Sequence, residues 1–396
     1  MREDVHGYDA AHITVLTGRE AIRKRPGMYV GSVRERGLHQ AVFEVVDRAV
    51  NEVLAGRANR VDVALGADGG VRVADDGAGV PADEDGTTDA PGLEALLTRM
   101  QTAAVPGGRR TVSLGPFGLG PCVTNALSSR LTAEVRRDGT RWIQEYRRGV
   151  AVAPPTAVGS TSSSGTTITF WPDSEIFETV DCSFAVLEER FRELALLNQH
   201  LEMSLTDARG PGEPRSVRFR YPGGVRDFVA LLDASVGVLV HPDVVAFGWE
   251  DLRMQGRAEV ALRWCGVGGE RVRSFVNSWA TEGGTHVAGF RDAVADSVNA
   301  YARKLHLLAR GEPDLSADRI GKGLTAVVSV KLERPEFQGA TRRALGNAAV
   351  RSCIEKGLRE HLDGWLAEHP EQAAAIAGWL VAAGVESQRP AAGPVT

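Results

Sequence analysis

FEVVDRAVNEVLAG, residues 43–56, and VRVADDGAGVP, residues 71–81, decide how the rest of the chain is read. On a helix, Glu44, Asp47, Arg48 and Asn51 fall at i, i+3, i+4 and i+7, so four polar side chains share one face. Val45, Val46, Ala49, Val50 and Val53 cover most of the remaining circumference, which predicts a helix packed on its other sides. Gly56 stands where a left-handed cap closes such a helix. The helix by itself fits either a solvated amphipathic segment or one wall of a pocket lined by carboxylates and a guanidinium. The second stretch bears on that choice. Residues 71–74 alternate like a strand and run into Asp75-Asp76-Gly77-Ala78-Gly79. The glycines of a D-x-G-x-G turn take backbone angles closed to other residues and let a ligand approach the main chain beside the Asp75 carboxylate. Asp and Gly also dominate ordinary turns. The turn gains its meaning from the helix before it and a glycine-rich stretch after it.

Composition sets the outer bounds. A chain of 396 residues is long enough for two or three domains. Its net charge is −5, with 24% charged residues and no long basic run, so no free-standing DNA-binding patch is expected. Cys122, Cys182, Cys265 and Cys353 show no C-x-x-C spacing, which argues against zinc and for a reducing cytoplasm. The polar N-terminus predicts no signal peptide, and no apolar run reaches membrane-spanning length, so no membrane partner is expected. Only Lys24, Lys304, Lys322, Lys331 and Lys356 are lysines among 46 basic residues. An arginine in a lysine position therefore carries less meaning here than elsewhere.

Periodicity and turn residues then organise the chain. A first helix ends at residues 23–26. Strands at 60–65 and 71–74 form a hairpin over 66–70. PGLEALLTRMQTAA is a short helix, and VPGGRRTVSLGPFGLG leads into a helix at 121–128. Backbone amides of such a loop, with the helix N-terminus, suit an anion, although glycines alone also suit a surface loop. Strands at 130–137 and 142–148 pair across Asp138-Gly139, a Ser/Thr-rich loop fills 159–165, and an apolar strand starts at Thr166. A helix at 184–199 and strands at 201–206 and 217–221 complete a first domain ending near residue 222. The pattern then restarts: helix 225–233, strands 259–265 and 272–279, and a long helix opened by EGGTHVAGF and reaching about residue 308. A loop at 311–316 precedes a near-continuous apolar strand at 324–332. FQGATRRAL introduces a helix of roughly twenty residues, and a last helix covers 371–383. Alternating strands and helices imply a second α/β layer.

The helix bearing Glu44, Asp47 and Glu52, the turn at 75–79 and the glycine-rich stretch followed by PCVTNALS resemble the GHKL ATPases. Within them, the likeness is to the B subunit of DNA gyrase and its topoisomerase IV counterpart. It extends over nearly the whole chain, through YDAAHITVL, LTGREAIRKRPGMYVG and GTTITFWPD to EGGTHVAGF and FQGATRRAL. The fold this resemblance implies is α+β. A GHKL (Bergerat) ATPase sandwich of a mixed sheet and helices, with an N-terminal dimerisation arm, covers 1–222. A transducer-type α/β domain covers 223–385, and a disordered tail 386–396. ATP is the implied ligand. By resemblance Glu44 is the general base, and Asp75 accepts from the adenine amino group beside Thr166. Gly77, Gly79, Gly115, Pro116, Phe117, Gly118, Leu119 and Gly120 line the backbone approach to the nucleotide. Arg48, Arg110 and Arg342 are expected at the bound ATP, together replacing part of what Mg²⁺ and the family's lysines supply at the phosphates, while Tyr8 and Ile13 belong to an arm that reaches the nucleotide of the partner protomer. Arg137 stands where the family contacts aminocoumarin drugs. The likeness stops where a metal-binding cleavage domain would begin, so full topoisomerase activity is not expected of this polypeptide alone.

Four departures from the family pattern are visible. Arg48 replaces an asparagine whose amide oxygen can hold Mg²⁺; a guanidinium is donor-only and cannot be a metal ligand. Ala78 replaces an arginine that pairs with the glutamate matched by Glu52, and the i, i+4 spacing predicts that Arg48 lies against Glu52 instead. The lid reads L-G-P-F-G-L-G where the family has G-G-L-H-G-V-G, and Pro116 has no backbone donor. GATR at 339–342 replaces G-Q-T-K, with Arg342 keeping the charge of a lysine directed at the γ-phosphate. Two functions follow from the resemblance and these departures. One is an ATP-operated dimer clamp, with nucleotide-dependent homodimerisation and altered or slow hydrolysis, for which a full-length topoisomerase B or A subunit is a candidate partner and DNA is engaged only indirectly. The other is a non-catalytic paralogue that binds nucleotide, an aminocoumarin-like ligand or a true gyrase B.

Overall fold

A computed structural model describes residue 16 and residues 18–82, 92–100, 119–339 and 343–386. In chain order the elements begin with α1 (Gly18–Lys24), α2 (Gly27–Val30), α3 (Glu35–Leu54), β1 (Arg60–Leu65) and β2 (Val71–Asp75). Next come α4 (Leu93–Thr98), α5 (Cys122–Ala126), β3 (Ser128–Arg137), β4 (Thr140–Arg147), β5 (Val150–Ala151) and β6 (Thr156–Ser160). Then follow β7 (Gly165–Pro172), α6 (Phe184–Leu196), β8 (Glu202–Asp207) and β9 (Arg215–Phe219). The later elements are α7 (Val225–Asp233), β10 (Val245–Asp251), β11 (Gly256–Trp264), β12 (Arg271–Val276), β13 (Trp279–Thr281), β14 (Gly283–Gly284) and α8 (Thr285–Lys304). The last are α9 (Ala317–Ile320), β15 (Leu324–Leu332), β16 (Phe337–Gln338), β17 (Ala344–Leu345), α10 (Ala348–Glu368) and α11 (Pro370–Glu386). No described helix is long and apolar enough to cross a membrane. The described residues fall into two compact units, one drawn from 1–108, 117–190 and 203–218, the other from 191–202 and 219–396.

The first unit is built on a sheet ordered β5-β4-β3-β7-β2-β1-β8-β9, with β6 beside β4. β2, β7, β3 and β4 pair antiparallel. β1 and β8 run the same way, since Ser204 Oγ donates to Asp62 Oδ1 and Ala208 N to Leu65 O. The sheet is therefore mixed, as the expected sandwich requires. Alternation in β1 turns Val61, Val63 and Leu65 inward. Leu38, Val42, Val46 and Val50 of α3 are fully buried in turn. Each such side chain contributes about 1.5–3 kcal/mol when removed from water. That packing holds α3 in place and fixes which of its residues are left for chemistry.

The second unit carries a five-stranded sheet ordered β10-β11-β15-β12-β13. β15 is buried along its whole length, and it runs parallel to β12. A parallel pair needs a crossover, and α8 lies between them in the chain. Phe290, Val294 and Val298 of α8 join Ile354, Leu358 and Leu362 of α10 in one core with Val260, Leu262 and Val328.

Several elements differ from expectation. α6 stops at Leu196 rather than residue 199, where Asn198 Nδ2 turns back to the Leu194 carbonyl at 2.8 Å. α8 stops at Lys304, shortly before His306 adopts a left-handed φ of 57°. α5 is shorter than 121–128 because Ser128 already starts β3. The Ser/Thr-rich loop is entered later than expected, since β6 occupies Thr156–Ser160 on the exposed edge. The tail from 387 onward lies outside the described residues.

Candidate nucleotide site

Glu44 and Asp47 occur in α3 among its valines and are both buried, 5% and 4% exposed. Glu44 Oε1 accepts from Gln40 Nε2 at 3.0 Å, one turn earlier, and Oε2 accepts from Gly120 N at 3.1 Å. Burial pushes its carboxyl up, the neighbouring Asp47 adds to the rise, and the hydrogen bonds from Gln40 and Gly120 only partly oppose it, leaving a pKa of about 7. Gly120 has a left-handed φ of 76° at the end of the glycine-rich stretch, and Leu119 accepts from Cys122 Sγ through its carbonyl at 3.2 Å. Burial, with Glu44 nearby, raises the Cys122 thiol to about 12, so it stays protonated.

Asp75 ends β2, and Thr166 faces it from β7. The strands are registered with Ala74 opposite Thr167, which places Asp75 and Thr166 on the next rung. Gly165 makes the approach possible: its φ is 140°, and a Cβ there would stand 2.2 Å from the Asp75 carbonyl oxygen. Asp75 Oδ1 accepts from Gly77 N at 2.9 Å, and a Cβ on Gly77 would press on that same oxygen. Gly79, at φ 78°, leaves no room for a side chain beside the Arg136 carbonyl. Arg137 Nη1 donates to the Gly79 carbonyl at 2.8 Å, bracing the turn. Thr166 Oγ1 accepts from Val80 N at 3.1 Å.

Arg48 meets the expectation of an ion pair with Glu52, but only at 4.0 Å, and its shorter contacts lie elsewhere. Its Nη1 pairs with Asp75 Oδ2 and its Nη2 donates to Thr166 Oγ1 at 3.2 Å. Glu52 is 4.0 Å away and receives instead a two-pronged contact from Arg57, Nε at 2.8 Å and Nη2 at 3.2 Å. The reason is local. Gly56 turns the chain with φ 71°, which folds Arg57 back onto the last turn of α3. Burial raises the Glu52 carboxyl, but Arg57 and Arg48 outweigh it and hold it below its usual range.

These side chains also test the metal that the family implies. Position 48 supplies only donors, and they are directed at Asp75 and Thr166. Among the described residues no cluster of three or more His, Cys, Asp or Glu has a metal-holding arrangement. The residues present do not fit a Mg²⁺ ion held through position 48, and no step below is routed through a metal.

The structure thus brings Glu44 to Gly120, Asp75 and Thr166 to Arg48, and Gly77 to Asp75, while Gly79 meets Arg137. Tyr8, Ile13, Arg110, Gly115, Pro116, Phe117, Gly118 and Arg342 lie outside the described residues. Three contributors escaped the sequence reading: Gln40, Arg57 and Gly165. Gln40 was visible as the i, i+4 neighbour of Glu44. The other two act through a turn and a strand pairing that spacing does not reveal.

Comparison with known proteins agrees with this geometry. Residues 33–176 match the family described as histidine kinase-, DNA gyrase B-, and HSP90-like ATPase, and residues 224–392 match DNA gyrase B. The chain is 45% identical over 386 residues to the DNA gyrase B protein of Streptomyces coelicolor, covering 93% of this chain and 56% of that protein. It is 44% identical over 384 residues to the novobiocin-resistant DNA gyrase B protein of Streptomyces niveus, covering 93% and 57% respectively. The chain therefore spans little more than half the length of these relatives. Among solved structures, the 43K ATPase domain of Thermus thermophilus gyrase B, in complex with an aminocoumarin, superposes with a TM-score of 0.80. It is 31% identical, over 94% of this chain and 96% of that one. A mixed sheet carrying Asp75 and Thr166, a helix carrying Glu44, and matches along both halves lead to one assignment: the chain belongs to the DNA gyrase B and topoisomerase IV B family, and corresponds to its N-terminal half.

Proposed function

We propose that the chain is a nucleotide-operated clamp of the gyrase B type, with ATP as the family's nucleotide and Glu44 as the general base for hydrolysis. Residues 1–222 form the ATPase domain with its dimerisation arm in this reading, and 223–385 the transducer. One observation carries it: Glu44 is buried, oriented by Gln40 and Gly120, and holds its proton until about pH 7. A base with its pKa near the working pH combines an adequate ionised fraction with an adequate drive to take a proton. Glu44 would orient and deprotonate the attacking water, and Asp75 and Thr166 would meet the base. Gly77, Gly79 and Gly120, with the glycine-rich stretch, would let the main chain approach the nucleotide. Arg110 and Arg342 would neutralise phosphate charge, and Tyr8 and Ile13 would close the partner's site.

Turnover of saturating ATP, with and without Mg²⁺, beside a Glu44→Ala variant tests this. Loss of about 10²-fold or more in the variant is expected. In the native protein the rate should rise with pH through about 7 as Glu44 loses its proton. Equal rates in the two proteins would remove Glu44 from the chemistry.

A second reading is favoured by the Arg48 contacts. A site whose base-facing residues are already engaged suits a binding module that partners a full-length gyrase B or holds an aminocoumarin-like ligand without turnover. Co-purification with such a full-length protein, and no nucleotide-dependent self-association, would favour it over the homodimeric clamp.

A further inference from the structure

One stretch of the first unit takes no part in the site above. Ser160-Thr161-Ser162-Ser163-Ser164 joins the end of β6 to Gly165, where β7 begins, and Ser162, Ser163 and Ser164 are exposed. A single row across four strands runs Gly159 (β6), Arg141 (β4), Arg136 (β3) and Gly165 (β7). The hydroxyl loop links the two ends of that row, so it must pass the arginines in its middle. Three strand spacings, about 14 Å, are within reach of five extended residues. Thr161 N donates to the Gly139 carbonyl at 2.9 Å, which ties the loop to the turn between β3 and β4. A Cβ on Gly165 would lie 3.0 Å from Arg136 Nη2, so the guanidinium rests over the residue that follows Ser164. Like charges directly opposite on an antiparallel pair are destabilising, and little balances these two. Glu134 Oε1 is 3.7 Å from Arg136 Nη1, and Arg136 Nε is buried with no hydrogen-bond partner among the described residues. Arg141 is exposed and pairs with no described carboxylate. The neighbouring Arg137 is taken up by Asp138 at 3.1 Å and by the Gly79 carbonyl. Within the loop, Thr161 and Ser163 bond each other, Oγ1 to Oγ at 3.2 Å, and Ser162 and Ser164 face solvent.

We propose that this loop is a phosphorylation site, and that a phosphoryl group on Ser162 or Ser164 docks on the Arg136–Arg141 pair. A phosphoserine carries close to two negative charges, and the arginine fork matches phosphate oxygens with charge-assisted hydrogen bonds. It supplies the counter-charge that the row lacks. The step is phosphoryl transfer from a nucleoside triphosphate by a separate protein kinase. The serine Oγ forms a bond to the γ-phosphorus, the bond from that phosphorus to the β–γ bridging oxygen breaks, the nucleoside diphosphate leaves, and the hydroxyl proton passes to the kinase's base. Docking on the arginines needs no bound nucleotide. Its effect nevertheless reaches the floor of the nucleotide site, because Gly165 seats against the Asp75 carbonyl and Thr166 follows it.

Phosphoserine encoded at position 162 of the whole chain, and in a second protein at 164, tests the docking. Phosphorus NMR follows the second ionisation of the phosphate, ordinarily at about pH 6. Two guanidinium groups beside it favour the dianion, so in one of the two proteins the midpoint should fall by about 0.5 pH or more. Combining Arg136→Gln with Arg141→Gln should restore the ordinary midpoint. It should also remove the slowing of amide exchange across residues 159–166, about fivefold, that docking produces. Should the double variant fail to fold, Arg141→Gln alone, at an exposed position, should restore about half of the shift. Tandem mass spectrometry of the chain purified from its own cells should find phosphate on the peptide that contains residues 160–164. The same midpoint with and without the arginines, at both positions, would overturn the docking. Absence of the phosphopeptide would overturn the modification, and arginine side-chain signals shifted by added inorganic phosphate would then assign the pair to a free anion.

Discussion

Glu44 in the first unit and Glu259 in the second are the same residue, similarly buried, with opposite proton affinities. Glu44 has an amide side chain and a backbone N–H for partners and a carboxylate for a neighbour, and its pKa rises to about 7. Burial pushes Glu259 in the same direction, but Lys331 Nζ at 3.1 Å and Arg257 Nη2 at 2.7 Å outweigh it and hold the carboxyl below its usual range. Lys331 also donates to the Leu197 carbonyl at 2.9 Å, so the ammonium is satisfied on two sides. Burial alone therefore does not mark a working carboxylate. What separates a group that exchanges protons near neutrality from one that fixes a fold is whether cations are built in beside it.

The most severe way to disturb this contrast is to remove the cation from the second glutamate. Lys331→Met should cost about 3 kcal/mol at pH 7, because Glu259 is left buried with one of the two cations described beside it, Arg257. Urea unfolding followed by tryptophan fluorescence would report it. A loss below about 1 kcal/mol would show that Arg257 suffices.

The opposite substitution in the first unit should stabilise. Below pH 4.5 Glu44 is protonated in both folded and unfolded chains. Between 4.5 and about 7 the unfolded chain has released a proton that the folded chain retains, so stability falls as pH rises, and above about 7 the whole cost remains. Glu44→Gln removes that cost, with a gain of about 1–3 kcal/mol at pH 8 and little at pH 5. The same change at position 259 should destabilise at pH 8. Unfolding curves at the two pH values compare them directly, and a pH-independent effect of Glu44→Gln would contradict the raised pKa.

The smallest effect concerns how firmly the first unit holds its turn. Arg137→Ala deletes the hydrogen bond to the Gly79 carbonyl, worth about 1 kcal/mol. Amide exchange across residues 77–80 should then quicken by about fivefold, with the rest of the sheet unchanged.

Regular elements were legible wherever one physical signal dominated. β1, α7 and β15 lie where alternation, helical period and a continuous apolar run put them. β10 was not anticipated, because its residues are mostly half-buried or exposed and Gly248 interrupts the run, as suits an edge strand. α2 and α9 have four residues each, too few to show a period. At the site, Glu44, Asp75 and Thr166 were readable as types in a pattern. The destination of Arg48 was not. An arginine reaches several carboxylates, and helix spacing offered Glu52, whereas the sheet delivered Asp75 from 27 residues away. Arg57 then claimed Glu52 through a bend at Gly56 that a helical wheel does not contain.

The rung shared by Asp75 and Thr166 makes the floor of this site a ruler. Adjacent strands keep a spacing set by their hydrogen bonds, about 4.8 Å, and the close seating of Gly165 against the Asp75 carbonyl pins the two chains at that point. The separation of the two oxygens is thus graduated by the ladder and not by a loop. Ligands are gauged against a fixed length, and redesign of what the pocket admits belongs to the residue laid across the ruler, with the marks left where they are.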